Sequence, residues 1–170
     1  MQNPIALHKL MILYMLKNVR SPLNAGILSD YLVANGYTNY FKFQSALGDL
    51  VESGMVDKKQ TYNSVFYTIT EEGANALSLF VGDISQSIQK EMRDYLQEKQ
   101  VEIKDRFSYF SDYSGVPGGG YKVTCKLFEE NRSIFEVNLF VTTEEDARQM
   151  CDHWKEKSDE IFAYAFKELS

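Results

Sequence analysis

The residues whose types and spacing best suit a chemical task are amides, hydroxyls and lysines gathered between residues 39 and 63. Asn39, Tyr40, Lys42, Gln44 and Ser45 crowd the start of one predicted helix. Lys58, Lys59, Tyr62 and Asn63 follow on a predicted hairpin. Asn and Gln amides pair with the edge of adenine, and Lys reaches guanine or phosphate. A helix lying in the major groove reads bases mainly from its N-terminal residues. A basic, polar hairpin tip suits phosphate or minor-groove contact. The chemistry implied is recognition of double-stranded DNA. Asp49 and Glu52 are expected to face outward on the same helix and to repel a phosphate backbone. Few cations remain to neutralise phosphate, so one copy is expected to bind weakly and two copies better.

Other chemistries find little support. His8 and His153 sit on predicted helices with no second ligand four residues on, whereas zinc needs three or four clustered ligands. Cys125 and Cys151 form no CxxC and read as small core residues, even if helix packing brings them together. No Ser-His-Asp order, GxSxG or HExxH occurs, and Gly118-Gly119-Gly120 lacks the Lys-Ser/Thr pair of a phosphate loop. The triplet precedes a strand and reads as a flexible hairpin connection. The acidic runs Glu129-Glu130 and Glu144-Glu145-Asp146 read as a solvated turn and a helix start. Neither an enzyme nor a cofactor or metal site is expected.

The elements that hold the polar group follow from breakers and periodicity. Asn3-Pro4 opens a helix over 5–18 that is apolar almost all round. Such a helix is either the centre of its own core or wedged between that core and a second subunit. A break at Arg20-Ser21-Pro22-Leu23 leads to a second helix, 24–35, stopped by Asn35-Gly36. Asn39 caps the third, with Phe43, Leu47, Leu50 and Val51 on its inner face, and Ser53-Gly54 ends it. Strands at 55–59 and 65–69 flank a polar turn, and Thr70 opens a helix to residue 81, with Ala74, Leu77, Leu79 and Phe80 as its apolar positions. Helix, helix, turn, helix and hairpin is the order of a winged helix-turn-helix. A polar helix over 84–106 follows, with Ile88, Met92, Tyr95, Leu96 and Ile103 as a narrow stripe, suited to linking or dimerisation. The period then changes. A strand is expected at 107–113. Two alternating runs, 121–127 and 134–141, flank a polar turn, with Phe135, Val137, Leu139 and Val141 inward. Thr143 caps a last helix, whose stripe Ala147, Met150, Cys151, Trp154, Ser158, Ile161, Phe162, Ala165 and Leu169 is expected to cross the sheet. The fold class is α+β. The expected organisation is 1–82 as a winged-helix domain, 83–106 as a linker or dimerisation helix and 107–170 as a small α+β module.

Composition bounds the function. The chain is 44% hydrophobic and 14% aromatic, enough to bury a core, with net charge −6 and pI near 5.0. Residues 1–82 carry six basic and six acidic side chains; the rest carry 12 and 18. A neutral part beside an acidic one suggests modules with different partners. The apolar run 5–16 is shorter than the roughly 20 residues a bilayer span needs. No signal peptide is recognised, so a cytoplasmic protein with reduced thiols and no membrane partner is expected.

Tyr67-Thr68-Ile69-Thr70-Glu71-Glu72-Gly73, followed by Leu77, resembles the wing-to-helix junction of bacterial winged-helix regulators of the multiple-antibiotic-resistance and phenolic-acid-repressor types. A wider set resembles an uncharacterised winged-helix family of anaerobic Gram-positive bacteria, known as a domain of unknown function. That set comprises Leu13-Tyr14, Asn39-Tyr40-Phe41, Leu47, Leu50-Val51-Glu52-Ser53-Gly54, the Thr70 junction, residues 121–126 and Trp154. The resemblance implies a transcriptional regulator and transfers no catalytic or ligand residue; together with the long polar helix the chain reads as a homodimer. Two alternatives stand beside it. Exposed Tyr40 and Phe41 could instead contact another protein. A small-molecule effector pocket between the 121–141 hairpin and the Trp154 helix is a third option, for which core packing is the better explanation.

Overall fold

Proline at the first position of a helix gives up only an amide that has no intrahelical partner, and α1 (Pro4–Lys17) begins in this way. Its cap, expected at Asn3, lies outside the described residues, as do Arg20 and the Glu130-Asn131 turn. The computed structural model describes residues 4–19, 21–100, 109–129 and 132–170. It divides into two units, Met1–Val101 and Glu102–Ser170.

In the first unit every residue of α1 from Leu10 to Leu16 is buried. Around it lie α2 (Ala25–Ala34), α3 (Tyr40–Glu52), strand β2 (Val65–Ile69), α4 (Glu71–Phe80) and α5 (Gln86–Glu98). The all-round apolar helix is therefore covered by its own unit, and no second subunit is needed to bury it. The expected Asn39 cap forms, and Asn24, read as the first helical residue, is also a cap: the Asn24 and Asn39 Oδ1 atoms accept from the Ile27 and Lys42 amides, each at 2.9 Å. Helix α2 buries Ile27, Leu28, Tyr31 and Leu32, and α3 buries Phe43, Ala46, Leu47 and Leu50.

Helix α3 leads into an antiparallel hairpin of β1 (Val56–Gln60) and β2, with Val56 opposite Ile69 and Gln60 opposite Val65. The turn is closed by the Thr61 amide, which donates to the Ser64 carbonyl at 2.8 Å. A further pairing has no sequence signature. Leu23 exchanges backbone hydrogen bonds with Tyr67, at 3.0 and 2.8 Å, and ties the α1–α2 connection to the hairpin.

The Thr70 junction is a knot of backbone bonds. The Thr70 amide donates to the Met55 carbonyl at 3.1 Å. Its hydroxyl donates to the Gly54 carbonyl at 2.7 Å and accepts from the Gly73 amide at 3.1 Å. Gly73 is ordinary helix, yet a Cβ there would stand 2.1 Å from the Met55 carbonyl oxygen. Glycine is required by the close approach of α4 to the base of the hairpin. In the same helix Leu77 is buried, but Leu79 and Phe80, expected to be inward, are exposed.

The helix expected over 84–106 is broken within the described residues, by a turn at Lys99. Ile84 is buried in extended backbone, Ser85 caps α5, and the helix ends at Glu98. The part expected over 101–106, with Ile103, lies outside the described residues. The stripe of α5 is used within its unit: Met92 and Leu96 are buried. The Tyr95 hydroxyl donates to the Ile27 carbonyl at 2.9 Å, the Tyr37 hydroxyl donates to Glu91 at 3.1 Å, and Arg93 donates to the Tyr14 hydroxyl.

The second unit is a three-stranded antiparallel sheet in the order β3-β4-β5, with one long helix on it. Its elements are β3 (Tyr109–Gly115), β4 (Tyr121–Glu129), β5 (Arg132–Val141) and α6 (Glu144–Leu169). The residues expected to begin the first strand, 107 and 108, are not described. Gly118, Gly119 and Gly120 have φ of 92°, 105° and 83°. The Val116 amide donates to the Gly120 carbonyl at 3.0 Å, so the triplet forms a tight turn that only glycine adopts, not a loose connection.

Val123, Cys125 and Leu127 of β4 and Ala147, Cys151, Trp154 and Ser158 of α6 make the core. Trp154 Nε1 donates to the Lys126 carbonyl at 2.9 Å, and the Ser111 hydroxyl to the Cys151 carbonyl at 3.0 Å. The expected stripe runs on with thinner cover: Phe162 is half-buried and meets Phe135 at 5.6 Å, while Ile161 is 42% exposed and Leu169 87%. The 26 residues of α6 reach about 39 Å. The nine of β4 span about 30 Å, so the last turns overrun the sheet. Leu139, expected to be inward, is likewise exposed at the open side of β5.

Gly73→Ala forces the Met55 carbonyl to move and is expected to destabilise the fold by about 1–3 kcal/mol. A urea midpoint equal to that of the wild type would remove the close-packing explanation.

Candidate nucleic-acid interface

The burial of Phe43, Ala46, Leu47 and Leu50 against the unit turns the other side of α3 to solvent. Asn39, Tyr40, Lys42, Gln44 and Ser45 are all exposed there, gathered on the cap and the first turns. Asn39 has a double role, because its carbonyl oxygen accepts from the Lys42 amide. Two-point pairing with adenine uses both the oxygen and the nitrogen of an amide. Gln44, which caps nothing, suits that pairing better.

Two features of this face are not evident from residue types. Phe41 is 84% exposed, more than Tyr40 at 58%, and the two rings meet edge to face at 6.2 Å. Its phase relative to Phe43 and Leu47 turns it outward, as the sequence spacing predicts. The second feature concerns charge. Asp49 is paired with Lys9 of α1 at 2.9 Å, so the repulsion expected from its carboxylate is partly neutralised. Glu52 is exposed at the far end of the helix. Phe41, Ser45 and Gly48 succeed one another along the outer face, a ring followed by two small residues. A Cβ at Gly48 would meet nothing within 4 Å, so no packing inside the chain calls for glycine there.

The hairpin group is more divided. Lys58 lies opposite Tyr67 and Lys59 opposite Phe66. Cross-strand partners share a face and neighbours alternate, so the two lysines project to opposite sides of the ribbon. Lys58 shares the side of the buried Tyr67, whose phenol is pushed up by burial. Tyr62 is half-buried, and Asn63 is exposed with its Oδ1 accepting from the Thr61 hydroxyl at 3.4 Å. The structure thus gathers the five α3 residues on one surface and spreads the four hairpin residues over two.

Of the remaining candidates, His8 is buried on α1, where Nδ1 has no hydrogen-bond partner among the described residues, and His153 is exposed. Burial pushes the Cys125 thiol up to about 11 and that of Cys151, with Cys125 nearby, to about 12. The thiolate is the reactive form, so these thiols are poor nucleophiles at neutral pH. Beside α3, burial is also the first cause of the raised Tyr31 and Tyr37 phenols; the two rings stack at 5.8 Å and Tyr31 meets Tyr95 at 5.1 Å. Among the described residues no three His, Cys, Asp or Glu side chains gather for a metal, and no helix is long and apolar enough to cross a membrane.

Three helices and a hairpin followed by a sheet with one long helix define a two-unit α+β protein. The chain belongs to the family described as a domain of unknown function (DUF4364), whose model matches residues 8–169. No curated protein and no solved structure matches it.

Gly48→Ala is expected to stabilise the fold by about 0.5–1 kcal/mol, since the glycine lies in a helix interior with open space around it. A lowered thermal midpoint would show that the position is constrained from within.

Proposed function

We propose that this protein is a DNA-binding transcriptional regulator that acts as a homodimer in the cytoplasm, with α3 as the recognition helix and the β1–β2 hairpin as the wing. The observation that carries the reading is the outer face of α3: a docked helix whose first turns offer an amide, a hydroxyl, a lysine and a tyrosine to solvent. On this reading Gln44 pairs with an adenine edge, Lys42 reaches guanine or phosphate, and Ser45 accepts or donates at either base type. Gly48 lets the groove wall come close to the helix backbone. Lys58 and Lys59, on opposite sides of the wing, reach different phosphates or act one at a time. Residues 1–101 hold nine basic and ten acidic side chains, so affinity must come from two copies bound together.

One observation favours a second reading, a protein-interaction module without DNA. Phe41 and Tyr40 present a large exposed aromatic pair at the start of α3, and aromatic residues are enriched in the centres of protein interfaces.

Binding to duplex DNA from upstream of the protein's own gene, measured across a salt series, separates the two. Salt-sensitive binding is expected, and Lys42→Ala should weaken it uniformly and lower the salt slope by about 1. Lys58→Ala/Lys59→Ala should act in the same direction. Salt-sensitive binding unaffected by that double substitution withdraws the wing assignment alone. No salt-sensitive binding by the wild type overturns the DNA reading in favour of the protein one.

A further inference from the structure

The buried stripe of α6 and its continuation share one phase. Ala147, Cys151, Trp154 and Ser158 meet the sheet, Phe162 still meets Phe135 of β5 at 5.6 Å, and Ile161, Ala165 and Leu169 continue at the same three- and four-residue steps toward the helix end. Beside them Tyr164 is 69% exposed and Phe166 65%. Beyond Phe162 the helix end carries an apolar face that the described residues leave exposed, while the stripe of α5, the other candidate for pairing, is used inside its own unit.

We propose that the last three turns of α6 are the surface through which two copies of this chain associate, packed antiparallel about a two-fold axis near residues 162–163. This rests on the dimeric reading above and names the surface that performs it. Three features select a second copy. An antiparallel pair brings the same flank of both helices together, and the flank holding Tyr164 also holds Lys157 and Glu168. These two lie eleven residues, or three turns, apart. About that axis, Lys157 of each copy stands opposite Glu168 of the other, so the surface is self-complementary in charge, as an isologous contact requires. Within each chain Lys157 pairs only with the exposed Glu160, at 3.1 Å, among the bonds of the described residues. The core matches in shape too, since Ile161 of one helix meets the small Ala165 of the other.

The area is consistent with this occupant. The exposed parts of Ile161, Tyr164, Phe166 and Leu169 amount to about 500 Å² per copy, taking about 150–250 Å² for a buried aromatic. Two copies bury at most about 1,000 Å², since Tyr164 and Phe166 lie on opposite flanks of the helix, at the lower limit of specific interfaces. The dimer is therefore expected to dissociate on dilution.

Sedimentation of the full chain without DNA, over a range of concentrations, tests the proposal independently of DNA binding. The wild type should be a dimer that dissociates on dilution. Tyr164→Glu/Leu169→Glu alters only exposed positions and should be monomeric with an unchanged circular-dichroism spectrum. Glu168→Lys should raise the dissociation constant at least tenfold, and the exchange Lys157→Glu/Glu168→Lys should restore it. A dimeric wild type whose Tyr164→Glu/Leu169→Glu variant stays dimeric overturns this surface and leaves the dimeric reading standing. A wild type monomeric at every concentration overturns both. Failure of the charge exchange to restore association overturns the antiparallel register.

Discussion

The N-terminal unit depends on the burial of α1. A helix that is apolar on every side must be covered on every side, and the seven consecutive buried residues from Leu10 to Leu16 leave no face of that stretch in water. Every other element of the unit takes its position from this demand. Helix α3 lays Phe43, Leu47 and Leu50 inward, and the same choice fixes which of its side chains point out. Lys9, just before the buried run, meets Asp49 of α3 at 2.9 Å. Helix α5 completes the cover with Met92 and Leu96, and the Tyr95–Ile27 bond holds it to the base of α2. The outer face of α3 is thus set from behind, by the burial of α1.

The second unit solves the same problem with fewer elements. One face of its sheet is covered by α6. The other is kept wet by cross-strand polar pairs: Thr124 donates to Asn138 at 2.7 Å, and Lys126 lies 3.5 Å from Glu136. A helix on one face of three strands can cover only the length of those strands. Any apolar turn beyond them must find another partner, and that geometry separates the first half of α6, which belongs to the core, from the second.

What the sequence disclosed and what it withheld divide by distance along the chain. Asn24, Asn39, Thr70 and Thr143 bond amides three residues on, and such caps can be read because donor and acceptor are near neighbours. The alternation of β4 and β5 and the buried face of α3 are legible for the same reason. The Leu23–Tyr67 bridge is one residue long and joins positions far apart, so no period announces it. The Lys9–Asp49 pair reversed part of an electrostatic expectation, since a carboxylate judged by its own helix alone seemed unopposed. The end of α5 at Glu98 has no glycine or proline to mark it. Gly73 was legible as part of a junction, but its cause, the Met55 carbonyl, became evident only in three dimensions. At the candidate site the exposed polar residues of α3 were legible from periodicity, whereas the double use of Asn39 and the split of Lys58 and Lys59 across the ribbon required the hydrogen bonds and the register.

Charge then links the two units. A near-neutral N-terminal unit has no net attraction for DNA, so the proposed DNA reading rests on a few lysines. Each neutralised phosphate adds about 0.9 to the logarithmic salt slope, so on the proposed reading Lys42, Lys58 and Lys59 in one copy would give a modest, salt-fragile contact, and a pair of copies would double the exponent. The excess of acidic residues, fourteen against nine basic in residues 102–170, works against placing that part on a duplex. A DNA-binding role for this chain therefore requires that association be supplied away from the duplex, by surface that is apolar and locally balanced in charge. The end of α6, where Lys157 and Glu168 flank an uncovered apolar stripe, meets that requirement within the acidic unit itself.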